Sequence, residues 1–63
     1  MFAAITKYQD DKQSVHNFDT LAEAVEFADA EAGWELTVYV KVFHPDGTLA
    51  YQAFNAELDT LQN

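Results

Sequence analysis

At 63 residues, with no cysteine and a formal net charge of -8, the chain has room for one domain and no disulfide or thiolate metal site to brace it. Eleven acids face three lysines and no arginine, and phosphate recognition needs those cations. Nucleic acid and anionic lipid are therefore excluded as direct partners, and basic protein surfaces are favoured.

An apolar content of 49% argues for a packed core rather than disorder. The apolar start, Met1 to Ile5, is too short for a signal-peptide core, and no stretch approaches a membrane span. Together with the lack of cysteine, this leads us to expect a soluble, cytoplasmic chain.

Phe2 to Tyr8 reads as a strand, with Phe2, Ala4, Thr6 and Tyr8 on one face. Gln9-Asp10-Asp11-Lys12 is a polar turn, and Ser14 to Phe18 is a second, weaker strand that completes a hairpin. Thr20-x-x-Glu23 has capping-box spacing and opens an Ala-rich helix that runs to Ala32, with Gly33 as its stop. Leu21, Ala24, Val25, Ala28 and Ala32 form its expected core stripe; Asp19, Glu23, Glu26 and Ala30 point the other way. Phe27 lies at the flank, one turn from Glu23 and one from Glu31.

Glu35 to Phe43 alternates Leu36, Val38, Val40 and Val42 with Glu35, Thr37, Tyr39, Lys41 and Phe43, and is the strongest strand pattern. His44-Pro45-Asp46-Gly47 is a hairpin turn leading to a strand over Leu49–Phe54. Asn55 to Leu58 is expected to cap one last helical turn anchored by Leu58 and Leu61. The expected architecture is a single α+β domain over residues 1–63. A small antiparallel sheet in ββαββ order packs on one helix, with a short C-terminal turn or helix. One Ala-rich helix covers one face of a sheet. The other face, with Tyr39 and Phe43, needs the tail, a second copy or a partner.

Catalytic constellations are not evident. Ser14 is the only serine and lacks flanking glycines. His16 and His44 fall in different hairpins without metal-ligand spacing; His16 alternates with Phe18 and is expected half-buried, whereas His44 is expected to face water. Paired acids such as Asp10-Asp11 or Glu23 and Glu26 read as a solvated face. Two isolated glycines form no phosphate-cradling loop. The reading is a non-enzyme without cofactor or metal.

The run from Phe18 to Ala28, followed by Gly33-Trp34-Glu35-Leu36-Thr37, resembles the small podovirus inhibitors of bacterial RNA polymerase over about half the chain. Where that family places arginines after the Thr, this sequence has Val38 and Val40. More loosely, the chain resembles small acidic phage counter-defence proteins of the anti-CRISPR kind. The resemblance implies one helix on a small antiparallel sheet, an inhibitor acting in the cytoplasm of a bacterial host, and a protein partner with a basic surface. Partial nucleic-acid mimicry would then involve Asp10, Asp11, Asp19, Glu23, Glu26, Phe27 and Glu31. The alternative expectation is a homodimeric structural or regulatory module that pairs through Tyr39, Phe43 and Tyr51.

Overall fold

The computed structural model describes residues 1–55; the expected last turn with Leu58 and Leu61 lies outside them. Strands β1 (Phe2–Tyr8) and β2 (Gln13–Phe18) pair antiparallel, with Ile5 opposite Val15. Their turn is closed by the Tyr8 N–H donating to the Lys12 carbonyl at 2.9 Å and by the Lys12 N–H donating to the Asp10 carboxylate at 3.1 Å. Asp11 adopts a left-handed φ of 69° there, which a short polar side chain tolerates better than a bulky one.

Helix α1 (Leu21–Ala32) follows. Thr20 is extended, and its hydroxyl oxygen accepts from the Glu23 N–H at 3.2 Å, satisfying one donor of the first turn. The Glu23 carboxylate accepts from the Thr20 hydroxyl at 3.0 Å, instead of reaching the backbone N–H that the full capping box would use. Gly33 keeps a right-handed conformation. The helix ends by tightening, with the Gly33 N–H on the Ala30 carbonyl and the Trp34 N–H on the Glu31 carbonyl.

Strands β3 (Thr37–Phe43) and β4 (Leu49–Phe54) complete an antiparallel sheet of order β2-β1-β3-β4. β3 begins at Thr37 rather than Glu35, because the Thr37 N–H closes a turn onto the Trp34 carbonyl and leaves Glu35 and Leu36 in the connection. The register then shifts beside Tyr8, so that Thr37 opposes Tyr8 while Tyr39 opposes Lys7. One inserted residue exchanges the faces on either side of it. Thr37 is thereby buried, although strict alternation placed it with Tyr39 and Phe43. In the β3–β4 turn Gly47 takes φ 91°, where a glycine is needed. The Thr48 hydroxyl and N–H both donate to Asp46, holding its carboxyl below the usual range.

The helix lies across one face of the sheet. Ala24 and Ala28, at helical spacing, meet Ala4, Val40 and Val42 with no exposed surface. Small residues let the helix approach closely, so the core is thin and its rim is aromatic, with Phe2, Phe18, Phe27 and Tyr51 half-buried around it. The expected stripe holds at Ala24, Ala28 and Ala32, the buried residues of the helix, and at half-buried Val25. Leu21, in the first turn, is exposed, while Phe27 turns inward to lie 5.1 Å from the Phe18 ring and 4.8 Å from His16. Burying that ring gains more than burying Leu21 would. His16 itself is exposed, and His44 is half-buried with its ring 5.5 Å from Phe2, the reverse of the sequence expectation for the two histidines.

Candidate functional site

Charge is divided between the two sides of the molecule. No described strand carries an Asp or Glu. The described acids lie on α1, in the connections at its two ends and in the two hairpin turns. Of the three lysines, Lys7 and Lys41 alternate with the core-facing residues of β1 and β3, on the sheet face away from the helix, and Lys12 is in the first turn.

The acids differ in what already occupies them. Asp11 lies 3.6 Å from Lys7, and Asp10 lies 3.9 Å from Lys12. Such exposed pairs are worth about 0–1 kcal/mol, but they locally neutralise the turn. Glu23 is engaged at the cap. Asp29, which sequence reasoning passed over, accepts from the Tyr51 hydroxyl at 2.5 Å and ties α1 to β4. That bond, then desolvation and the nearby carboxylate charge, push the Tyr51 phenol above its ordinary value of 10.0. The carboxylates of Asp19, Glu26, Glu31 and Glu35 make no hydrogen bond or ion pair among the described residues.

Position along the helix sorts them further. Asp19 and Glu23 lie at the N-terminal end, where the helix dipole favours negative charge. Glu31 lies in the last turn, which holds no basic residue. A carboxylate there costs the helix about 0.3–1 kcal/mol. Helix formation therefore does not account for Glu31, and Glu26 on the outer face serves no contact within the fold.

The sequence-based set does not form one patch. Gln9 hydrogen-bonds Leu36 beyond the C-terminal end of α1, whereas Phe18, leading into Asp19, pairs with Phe2 at the other end. A helix of this length spans about 18 Å. Asp10 and Asp11 are thus separated from Asp19 and Glu23 by the length of the helix. Asp19, Glu23 and Glu26 are exposed along the outer side of α1, whereas Glu31, five residues beyond Glu26, is half-buried on another side. Phe27 is packed against the fold and does not project as an anchor.

The aromatic set is also divided. Tyr39 and Phe43 share the open face with Phe54 and Leu49, their partners across the ladder. Tyr51 opposes the buried Val42 and so belongs to the helix side.

A shallow cleft of about 450 Å³, lined by Tyr8, Gln9, Asp10, Lys12, Trp34 and Leu36, opens where the helix ends. Trp34 is 48% exposed, with its ring edge-on to Tyr8 at 5.7 Å. Reading Glu35 and Leu36 as strand hid this feature; the Gly-Trp pair directly after the helix was the available signal of a turn.

Among the described residues no group of three His, Asp or Glu is placed to hold a metal ion, and no helix is long and apolar enough to cross a membrane. In comparisons with known proteins, no family model, curated protein or solved structure matches this chain. The described residues define an α+β domain of four antiparallel strands under one helix, with acids along the helix and two of the three lysines on the opposite sheet face.

Proposed function

We propose that this domain is a non-catalytic protein-binding module, with α1 as its principal contact surface. Asp19, Glu23, Glu26 and Glu31 would meet a basic surface of a nucleic-acid-handling protein, standing in for part of the phosphate charge that surface normally holds. The observation that carries this reading is that Asp19, Glu23 and Glu26 are exposed at the outer face of the helix and left without a cation, while the lysines lie elsewhere and Glu31 is half-buried. Unneutralised charge of one sign on one side of a small domain steers encounter with the opposite sign. An inhibitor from a phage or mobile element, acting in a bacterial cytoplasm, is the setting that the sequence resemblance implies.

The test is affinity capture from bacterial lysate, washed across a salt series, followed by competition between this domain and DNA for the captured protein. The reading expects capture at low salt, release as salt rises, and displacement of DNA. Capture that is indifferent to salt, with DNA still bound alongside, would overturn it.

A further inference from the structure

From the charge and apolar pattern of the open sheet face, we infer that it is a second docking surface, for an apolar segment of a protein partner that carries carboxylates. Pairing across the sheet places three rows on this face: Asn17, Ala3, Phe43 and Leu49; Val15, Ile5, Lys41 and Gln52; Gln13, Lys7, Tyr39 and Phe54. Each central residue alternates with a buried core residue on its strand, so these side chains point away from the helix. No described element covers them. Val15, Leu49 and Phe54 are exposed, and Tyr39 and Phe43 are half-buried.

Charge identifies the occupant. Neither Asp nor Glu stands at any of these positions. Lys7, at one end, already has Asp11 within 3.6 Å. Lys41, near the middle on a central strand, has no carboxylate partner among the described residues, and its ammonium lies 4.7 Å from the Tyr39 ring centre. An apolar cover that removed Lys41 from water without supplying an anion would leave a buried, unpaired charge, which is strongly unfavourable. A cover bearing a carboxylate satisfies it. A second copy fits worse: two-fold pairing about the middle of this face would oppose Lys41 to Lys41. Nucleic acid also fits worse, because one unpaired lysine is too few cations for a phosphate backbone.

The test follows backbone amide signals of the full-length, isotope-labelled chain by NMR. The probes are an amphipathic peptide of Leu, Phe and Glu, and its counterpart with Lys for every Glu. The acidic peptide is expected to shift Ile5, Tyr39, Lys41 and Phe43 saturably, leaving Glu26 and Ala30 on α1 in place. Lys41→Glu should weaken that binding about tenfold. Ala24 and Ala28 signals report whether the variant keeps its fold; Lys41→Gln, expected to weaken binding less, serves if it does not. The inference is overturned if the sheet-face signals do not move, or move equally with the basic peptide. Shifts that grow with protein concentration alone would assign the face to a second copy, and shifts with a single-stranded RNA oligonucleotide would assign it to nucleic acid. Movement of the same signals when residues 56–63 are removed, without any peptide, would assign it to the chain's own tail. Each of these results also overturns the inference. Because sheet and helix signals are read separately, failure at the sheet face is distinct from failure of the helix as a binding surface.

Discussion

Phe27→Ala should destabilise this domain rather than merely remove a contact with a partner. Full burial makes a Phe→Ala change cost about 3–5 kcal/mol. Phe27 is half-buried, with Phe18 at 5.1 Å and His16 at 4.8 Å, so roughly half of that is at stake, about 2 kcal/mol. Alanine's better helix propensity returns about 0.5 kcal/mol. The net loss of about 1.5 kcal/mol corresponds to a fall in Tm of about 6–12 °C for a domain of this size. Thermal unfolding followed by circular dichroism measures it directly. Phe27→Leu, which keeps an apolar side chain at the rim, should lose less. If Phe27→Ala melts within a degree of the wild type, the ring is not packed against Phe18 and His16. Phe27 would then be available as a projecting anchor, and the division between core and contact surface would be wrong.

Two further outcomes test the core and the helix–sheet tie. The hydroxyls of Thr6 and Thr37 are buried without a hydrogen-bond partner among the described residues. Thr6→Val and Thr37→Val should each stabilise by about 1 kcal/mol, seen as a higher urea midpoint with unchanged slope; a lower midpoint would show that the hydroxyl is satisfied. Tyr51 keeps its proton above the ordinary value of 10.0, chiefly because Asp29 accepts its hydrogen bond. A raised folded value means that this bond's stabilising contribution is present below the unfolded value and is lost as pH rises through the folded one. The phenolate absorbance titration of the wild type, less that of Tyr51→Phe, should have its midpoint above 10.0 and move down in Asp29→Asn; a midpoint at or below 10.0 would remove Asp29 as the cause.

Most of the architecture was legible because its signals are local. Strand Phe2–Tyr8 alternates and ends in a polar turn, the His44–Gly47 turn marks the hairpin to Leu49–Phe54, and Thr20 with Glu23 marks the helix start. The ββαββ order follows from those elements. What eluded the sequence depends on tertiary contact. The bulge beside Tyr8, which buries Thr37, is set by pairing between distant strands. The inward packing of Phe27 at the helix flank is decided by Phe18 and His16, which no helical wheel includes. The register shift between Val42 and Phe43 adds one residue to β4, so that Leu49 and Tyr51, two positions apart, fall on opposite faces; simple alternation therefore grouped Tyr51 with Tyr39 and Phe43 although it lies over the helix side. For the candidate site, net acidity was plain from composition. Its division was not, because it requires knowing that Lys7 and Lys41 share the open face while Asp10 and Asp11 are held by lysines at the far end of the helix.

On the function proposed above, the free carboxylates of α1 guide this domain onto a basic protein surface. Glu26 isolates that claim best, since it is exposed, caps nothing and makes no contact that folding needs. The decisive measurement is the stopped-flow association rate of wild type and Glu26→Lys with the protein captured from lysate, at low and at high salt. The variant should associate more slowly at low salt, and the two rates should converge as screening removes steering from both. Equal association rates at low salt would contradict it.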